Sequence, residues 1–150
     1  MLTKQNVKIR WVDTDDELEQ VILISEVAFH DCGISLDQAQ ARAFVQAEGR
    51  IPKVLVEKGR VLAYNFFELY KKVVKIRQLA VCHEHRREGL GSKLLRRLID
   101  DLPGMKKKAI LVEVPEEHLG AQLFFRSHGF EAIQIKERCG QTFYAMQYIA

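Results

Sequence analysis

The stretch Arg86-Arg87-Glu88-Gly89-Leu90-Gly91-Ser92 combines the residue types that hold an anion. It stands between an apolar segment ending near Val81 and a segment in which Leu90, Leu94, Leu98 and Leu102 recur every four residues. A strand that stops, a short basic loop and a helix opening at the glycines leave free backbone N–H groups and the positive end of a helix dipole facing one point. Gly89 and Gly91 would let a ligand approach the backbone with no Cβ in the way. The chemistry expected here is binding of a phosphorylated ligand. A triphosphate loop requires G-x-x-x-x-G-K-[ST], and Gly91-Ser92-Lys93 has the wrong order. A dinucleotide fold requires a third glycine where the chain has Leu94. A pyrophosphate on some other, longer ligand remains.

The rest of the composition narrows the field. The 150 residues are 47% hydrophobic with a net charge of +3, enough apolar material for one compact domain and too little charge to indicate nucleic acid. The basic turn Lys106-Lys107-Lys108 reads first as a solvated face. No apolar run approaches the roughly 18 residues of a membrane span. Met1 to Asn6 lacks the apolar region of a signal peptide, so a cytoplasmic protein is expected. Cys32, Cys82 and Cys139 are odd in number and far apart, which argues for reduced thiols. His83, His85, His118 and His128 lack completing ligands at metal spacing, and no metal is expected.

These groups need a scaffold, and periodicity supplies one. Val7 to Val12 alternates as a first strand, and Thr14-x-x-Glu17 opens a helix running to about Phe29. Ser35-x-x-Gln38 has the same spacing and predicts a second helix ending near Gly49. Lys53 to Lys58 and Arg60 to Leu69 form an antiparallel hairpin about Lys58-Gly59. A third strand follows, in which Val74 and Ile76 set one phase and Leu79 and Val81 the other. The slip at Gln78 is what a β-bulge produces, and its place just before the glycine loop favours that reading over a strand end buried on both faces. A bulge would free backbone groups near Leu79 and Val81 for a linear ligand.

The helix from the glycine loop is stopped by Pro103-Gly104, and Ala109 to Val114 is a strand carrying Glu113. A helix over Glu117 to His128 is capped by Gly129, and strands Phe130 to Ile135 and Thr142 to Ile149 close the chain around a polar connection, Cys139-Gly140-Gln141. The order β-α-α-β-β-β-α-β-α-β-β describes an α/β fold, a mixed sheet in one domain over residues 1–150, with a parallel step at the glycine loop.

The run R-x-x-G-x-G at Arg86 to Gly91, preceded by Leu79-Ala80-Val81, resembles the acetyl-CoA signature of the GNAT N-acetyltransferase superfamily. The resemblance continues through Glu113, Leu123-Phe124-Phe125 and Gly129-Phe130, and covers residues 73–149 well and the first half in element order only. It implies acetyl-CoA as co-substrate, with its pantetheine arm along the backbone of Leu79, Ala80 and Val81 and its pyrophosphate over Arg87 to Ser92. Arg86, Arg87, Glu88, Gly89, Leu90, Gly91, Ser92, His118, Phe124 and Phe125 are the further cofactor-side residues it implies.

From Leu111 to Phe130 the sequence looks most like the ribosomal-protein-alanine N-acetyltransferase branch. That implies Glu113 as general base and an acceptor at a protein or peptide N-terminus. Phe125 falls where the branch has its acid Tyr, and His118 where it has Asn, so the acid role would pass to solvent or to Tyr144. Glu113 would be adequate if burial raised its pKa above roughly 4.3. On the residues alone, Glu113 reads equally as a charge at a strand end, and Tyr144 as a packing residue. Two other functions stay open: an acyl-CoA-binding module with weak or lost catalysis, and a small-amine acetyltransferase.

Overall fold

The computed structural model describes residues 7–30 and 34–150. Cys32 and the segment Met1 to Asn6 lie outside them. The elements are β1 (Val7–Trp11), α1 (Asp15–Phe29), α2 (Gln38–Gln46), β2 (Arg50–Glu57), β3 (Arg60–Leu69), β4 (Val73–Val81), α3 (Leu90–Met105), β5 (Ala109–Pro115), α4 (Leu119–Ser127), β6 (Glu131–Arg138) and β7 (Gln141–Ile149). The seven strands form one sheet in the order β1-β2-β3-β4-β5-β7-β6. Every neighbouring pair is antiparallel except β4 with β5. The α/β order and the mixed sheet agree with the sequence.

Local chemistry sets the ends. Thr14 caps α1 by accepting from the Glu17 N–H at 3.1 Å. The Glu17 carboxylate accepts from the Asp13 N–H and pairs with Arg10 at 2.6 Å, tying α1 to β1. The second capping box is displaced from the expected Ser35 and Gln38 to Asp37 and Gln40, whose side chains bond each other's backbone N–H. Pro103-Gly104 does not stop α3. Pro103 lies inside its last turn, and the helix ends at Lys106, in the left-handed region (φ 59°), with the Lys107 N–H closing on Leu102 O. β2 begins at Arg50, before the expected Lys53, because Pro52 lies past the last β1 partner and its missing N–H interrupts no ladder there. Cys139 and Gly140, both at positive φ, make a tight turn between β6 and β7 where a longer connection was expected.

Two apolar layers clamp the sheet. On one face Leu18, Val21 and Ile24 of α1 and Ala41 and Phe44 of α2 pack on Val54, Tyr64 and Phe66. On the other, Leu95, Leu98 and Leu102 of α3 and Phe125 of α4 pack on Val74, Ile76, Ile110 and Val112. Leu90 and Leu94 extend that layer toward β2 and β3.

Candidate active site

The phase slip in β4 is a bulge. Phe66 faces Gln78 and Phe67 faces Ile76, so Arg77 is the inserted residue. Before it, Val74 and Ile76 face α3; after it, Leu79 and Val81 do, while Ala80 joins the layer under α1 and α2. The strand end is also covered on both sides, since Gln78 and Ala80 are buried.

The bulge coincides with a split in the sheet. β4 and β5 pair only from Val73 with Ala109 to Ile76 with Val112, and beyond that their edges part. On its other side β4 stays bonded to β3, where the Cys82 N–H donates to Leu62 O. Antiparallel alternation therefore turns the backbone of Ala80 toward β3 and that of Leu79 and Val81 into the opening. A small cavity of about 50 Å³ occupies it, bounded by Phe29, Leu79, Glu113, His118 and Phe125 among others.

At its α3 end the split meets the glycine loop. Gly89 is the N-cap of α3 at φ 78°, and Arg87 is also left-handed at φ 65°. Arg86, Arg87 and Glu88 are exposed, and His85 engages Glu88 at 3.0 Å. Leu90 is buried by its side chain, and Ser92 is half-buried. Gly91 is buried at the start of α3. A Cβ there would lie at ordinary contact distance from the Phe124 ring, 3.4 Å, and from Val81, 3.5 Å, so this side of Gly91 faces the packing of α3 against Phe124. The open β4 edge, the left-handed Gly89 and the first N–H groups of α3 together fit a long ligand with a phosphate end.

Phe125 is buried edge-on to Phe124 and Phe130, and His118 stacks on Phe29 with ring centroids 5.8 Å apart. Neither is a lone surface group.

Glu113 lies on the face of β5 opposite Val112 and Val114, and is not an exposed strand-end charge. It is caged: Lys75 Nζ lies 3.4 Å away, Lys136 Nζ 3.2 Å, and Arg138 Nη1 2.6 Å from Oε1. Burial pushes its carboxyl up, but the hydrogen bond from Lys136 and the charges of Lys75, Arg138 and Lys136 pull it further down, leaving it below the ordinary 4.5. The rise that the sequence reading required is absent. Tyr144 is not brought to Glu113 either. It is registered against Val114 and packs with the α3 layer, on the opposite face from its neighbour Phe143.

Beyond Glu113 the opening widens into a cavity of about 530 Å³ under α2 and the β6–β7 turn, walled by Phe44, Phe66 and Phe143 and by Arg50, Lys75, Arg77 and Arg138. Buried Gln78 holds its roof. Its amide donates to Ile34 O at 2.6 Å and its oxygen accepts from Ser25 Oγ at 3.0 Å and Tyr64 Oη at 2.6 Å. Sequence reasoning missed these residues. Lys75 lies between Val74 and Ile76 and Arg77 just beyond them on β4, and the available signal was that a second helix as short as α2, nine residues, leaves part of one sheet face uncovered.

A split parallel pair running into a glycine loop is a specific construction, and comparison with known families identifies it. The model of the acetyltransferase (GNAT) family matches residues 15–130. The chain belongs to the GNAT family. As a member it is an N-acetyltransferase with acetyl-CoA as co-substrate. Among solved GNAT-like structures, the ribosomal-protein-S18-alanine N-acetyltransferase from Escherichia coli is similar with a TM-score of 0.82 at 21% identity, over 95% of this chain and 93% of that one. Ard1 from Thermoplasma volcanium gives 0.83 at 20% identity, over 96% and 97%. An aminoglycoside 6'-N-acetyltransferase complexed with coenzyme A gives 0.78 at 11%, over 95% and 96%. At such identities the likeness is one of fold. No curated protein sequence matches. Among the described residues no helix is long and apolar enough to cross a membrane, and no cluster of metal-ligating side chains occurs.

Proposed function

We propose that this GNAT-family chain acetylates a primary amine by direct attack on the thioester, and that the amine belongs to a protein or peptide N-terminus. The observation that carries this reading is the split between β4 and β5, which joins the glycine loop to a separate cavity wide enough for an acceptor. The Leu79 and Val81 backbone hold the pantetheine arm as an added strand would, and the loop from Arg87 to Ser92 holds the pyrophosphate. The acceptor enters from the side of α2 and the β6–β7 turn.

The chemistry follows from the charges on that side. Nitrogen attacks the thioester carbon, the C–S bond breaks, and the amine gives up a proton. Only the neutral amine attacks, and the cations around Glu113 disfavour an ammonium ion in the same space. Less basicity is then asked of Glu113, which receives the proton directly or through water. With Phe125 in place of a phenol and Tyr144 on the far face, the thiolate is protonated by solvent, which a thiol pKa of about 8.5 permits.

A thiol-release assay with acetyl-CoA and a panel of peptides and small amines tests the reading. Turnover is expected, with peptides ahead of small amines lacking a backbone. Glu113→Gln should lower kcat by about 100-fold, the lower range for a general base. Because the Glu113 carboxyl is held below its ordinary 4.5, the wild-type rate should show no acidic limb from it between pH 7 and 5. No turnover with any amine, while acetyl-CoA binds, would sink the proposal.

A further inference from the structure

Resting on the reading of the large cavity as the acceptor's side, we infer that the acceptor amine carries a carboxylate, which docks on Arg77 and the cations beside it. Among the residues lining the cavity, Arg50, Lys75, Arg77 and Arg138 face a single acid, Glu113. Both Glu113 oxygens are already engaged, Oε1 by Arg138 and Oε2 by Lys75 and Lys136. The second nearby carboxylate, Glu68, is buried and is held by Arg50 at 3.1 Å. Counting Lys136, five cations face two carboxylates, an excess of three positive charges gathered on one concave, partly apolar wall.

Arg77 is the least engaged of the five by ion pairing. Its nearest carboxylate oxygen, on Glu68, is 4.0 Å from Nε, and its side chain is 52% exposed. It is also the residue inserted at the bulge, and it lines both the large cavity and the small one in the split. A group bound there lies within a few bonds of the point where an amine must meet the thioester. The planar guanidinium takes a carboxylate through two parallel bonds, which a lysine cannot do. The aromatic walls of Phe44, Phe66 and Phe143 suit the hydrocarbon between the two groups. The same wall repels polycations, so basic N-termini and aminosugars are selected against. On the peptide reading the carboxylate is that of an acidic residue close to the N-terminus; a free amino acid presents the same group, and its lead would replace the peptide reading.

Paired acceptors separate these cases. kcat/KM is measured for alanine against alaninamide, and for peptides beginning Ser-Glu-Glu, Ser-Gln-Gln and Ser-Lys-Lys. The acidic member of a pair should lead by roughly tenfold or more, the lysine peptide should come last, and added salt should narrow the gap. Whichever pair shows the lead identifies the source. Arg77→Gln should bring the ratio within about twofold, whereas Arg96→Gln, on the solvent face of α3, should leave it intact. Equal or better use of neutral or basic acceptors overturns the inference while leaving the acetyltransferase reading standing. If no amine is turned over, that reading fails, and binding still decides this one. Titration of N-acetylalanine against N-acetylalaninamide, and of acetylated peptides beginning Ser-Glu-Glu against Ser-Gln-Gln, into the coenzyme A-loaded protein should show the same preference in one pair, and equal affinities in both overturn it.

Discussion

The two sides of the split in the sheet are built from different material. The α3 side is backbone: an open strand edge at Leu79 and Val81, a left-handed Gly89 and the first turn of a helix, contributed by one continuous run of chain. The α2 side is side chains, brought from β2, β4, β5, β6 and β7 to one cavity. Backbone recognition depends on where the chain goes and tolerates many substitutions. Side-chain recognition depends on each residue. The first suits a ligand common to a whole family, and the second one acceptor.

If that contrast holds, the largest effect should come from the residue that joins the two sides. Gln78→Leu leaves Ser25 Oγ, Tyr64 Oη and Ile34 O without their partner in a buried network. A loss of about 2–4 kcal/mol is expected, the sum of unpaired buried groups, with the 34–36 segment loosened before the strands. Chemical denaturation gives the first quantity and amide exchange the second. A variant as stable as the wild type would show that the network does not hold the roof.

A smaller effect sharpens the same contrast inside the glycine loop. Gly89→Ala forces a Cβ into a left-handed position and should cost about 1–2 kcal/mol of stability and weaken acetyl-CoA binding. Gly91→Ala meets Phe124 and Val81 at ordinary contact distances and should leave affinity within about twofold. Calorimetric titration distinguishes them. A large loss of affinity in Gly91→Ala alone would return Gly91 to the role the sequence suggested, approach of the ligand.

What the sequence conveyed follows the same division. The strand and helix order, the bulge just before Gln78 and the loop from Arg86 to Ser92 were legible because each is local, written in period-2 and period-3.6 patterns or in closely spaced glycines. The Glu113 cage was not, because Lys75, Lys136 and Arg138 are up to 63 residues apart in the chain and meet only through the β4–β5–β7–β6 order. The expectation of a raised pKa failed for that reason: burial was foreseeable and three cations were not. The face of Tyr144 was open to the sequence by the same limit, since alternation on β7 gives it only once the neighbour across the sheet is known. Pro103 shows a local signal overridden, a helix breaker accommodated in the final turn.

The central claim is that the cofactor is held by backbone on one side and the acceptor by side chains on the other, and a crystal structure with acetyl-CoA bound tests it most directly. The account predicts the pyrophosphate on N–H groups between Arg87 and Ser92, the pantetheine amides paired with Leu79 and Val81, and the acetyl group in the split facing Glu113. Phosphates bound instead by Arg77 and Arg138 in the large cavity would contradict it.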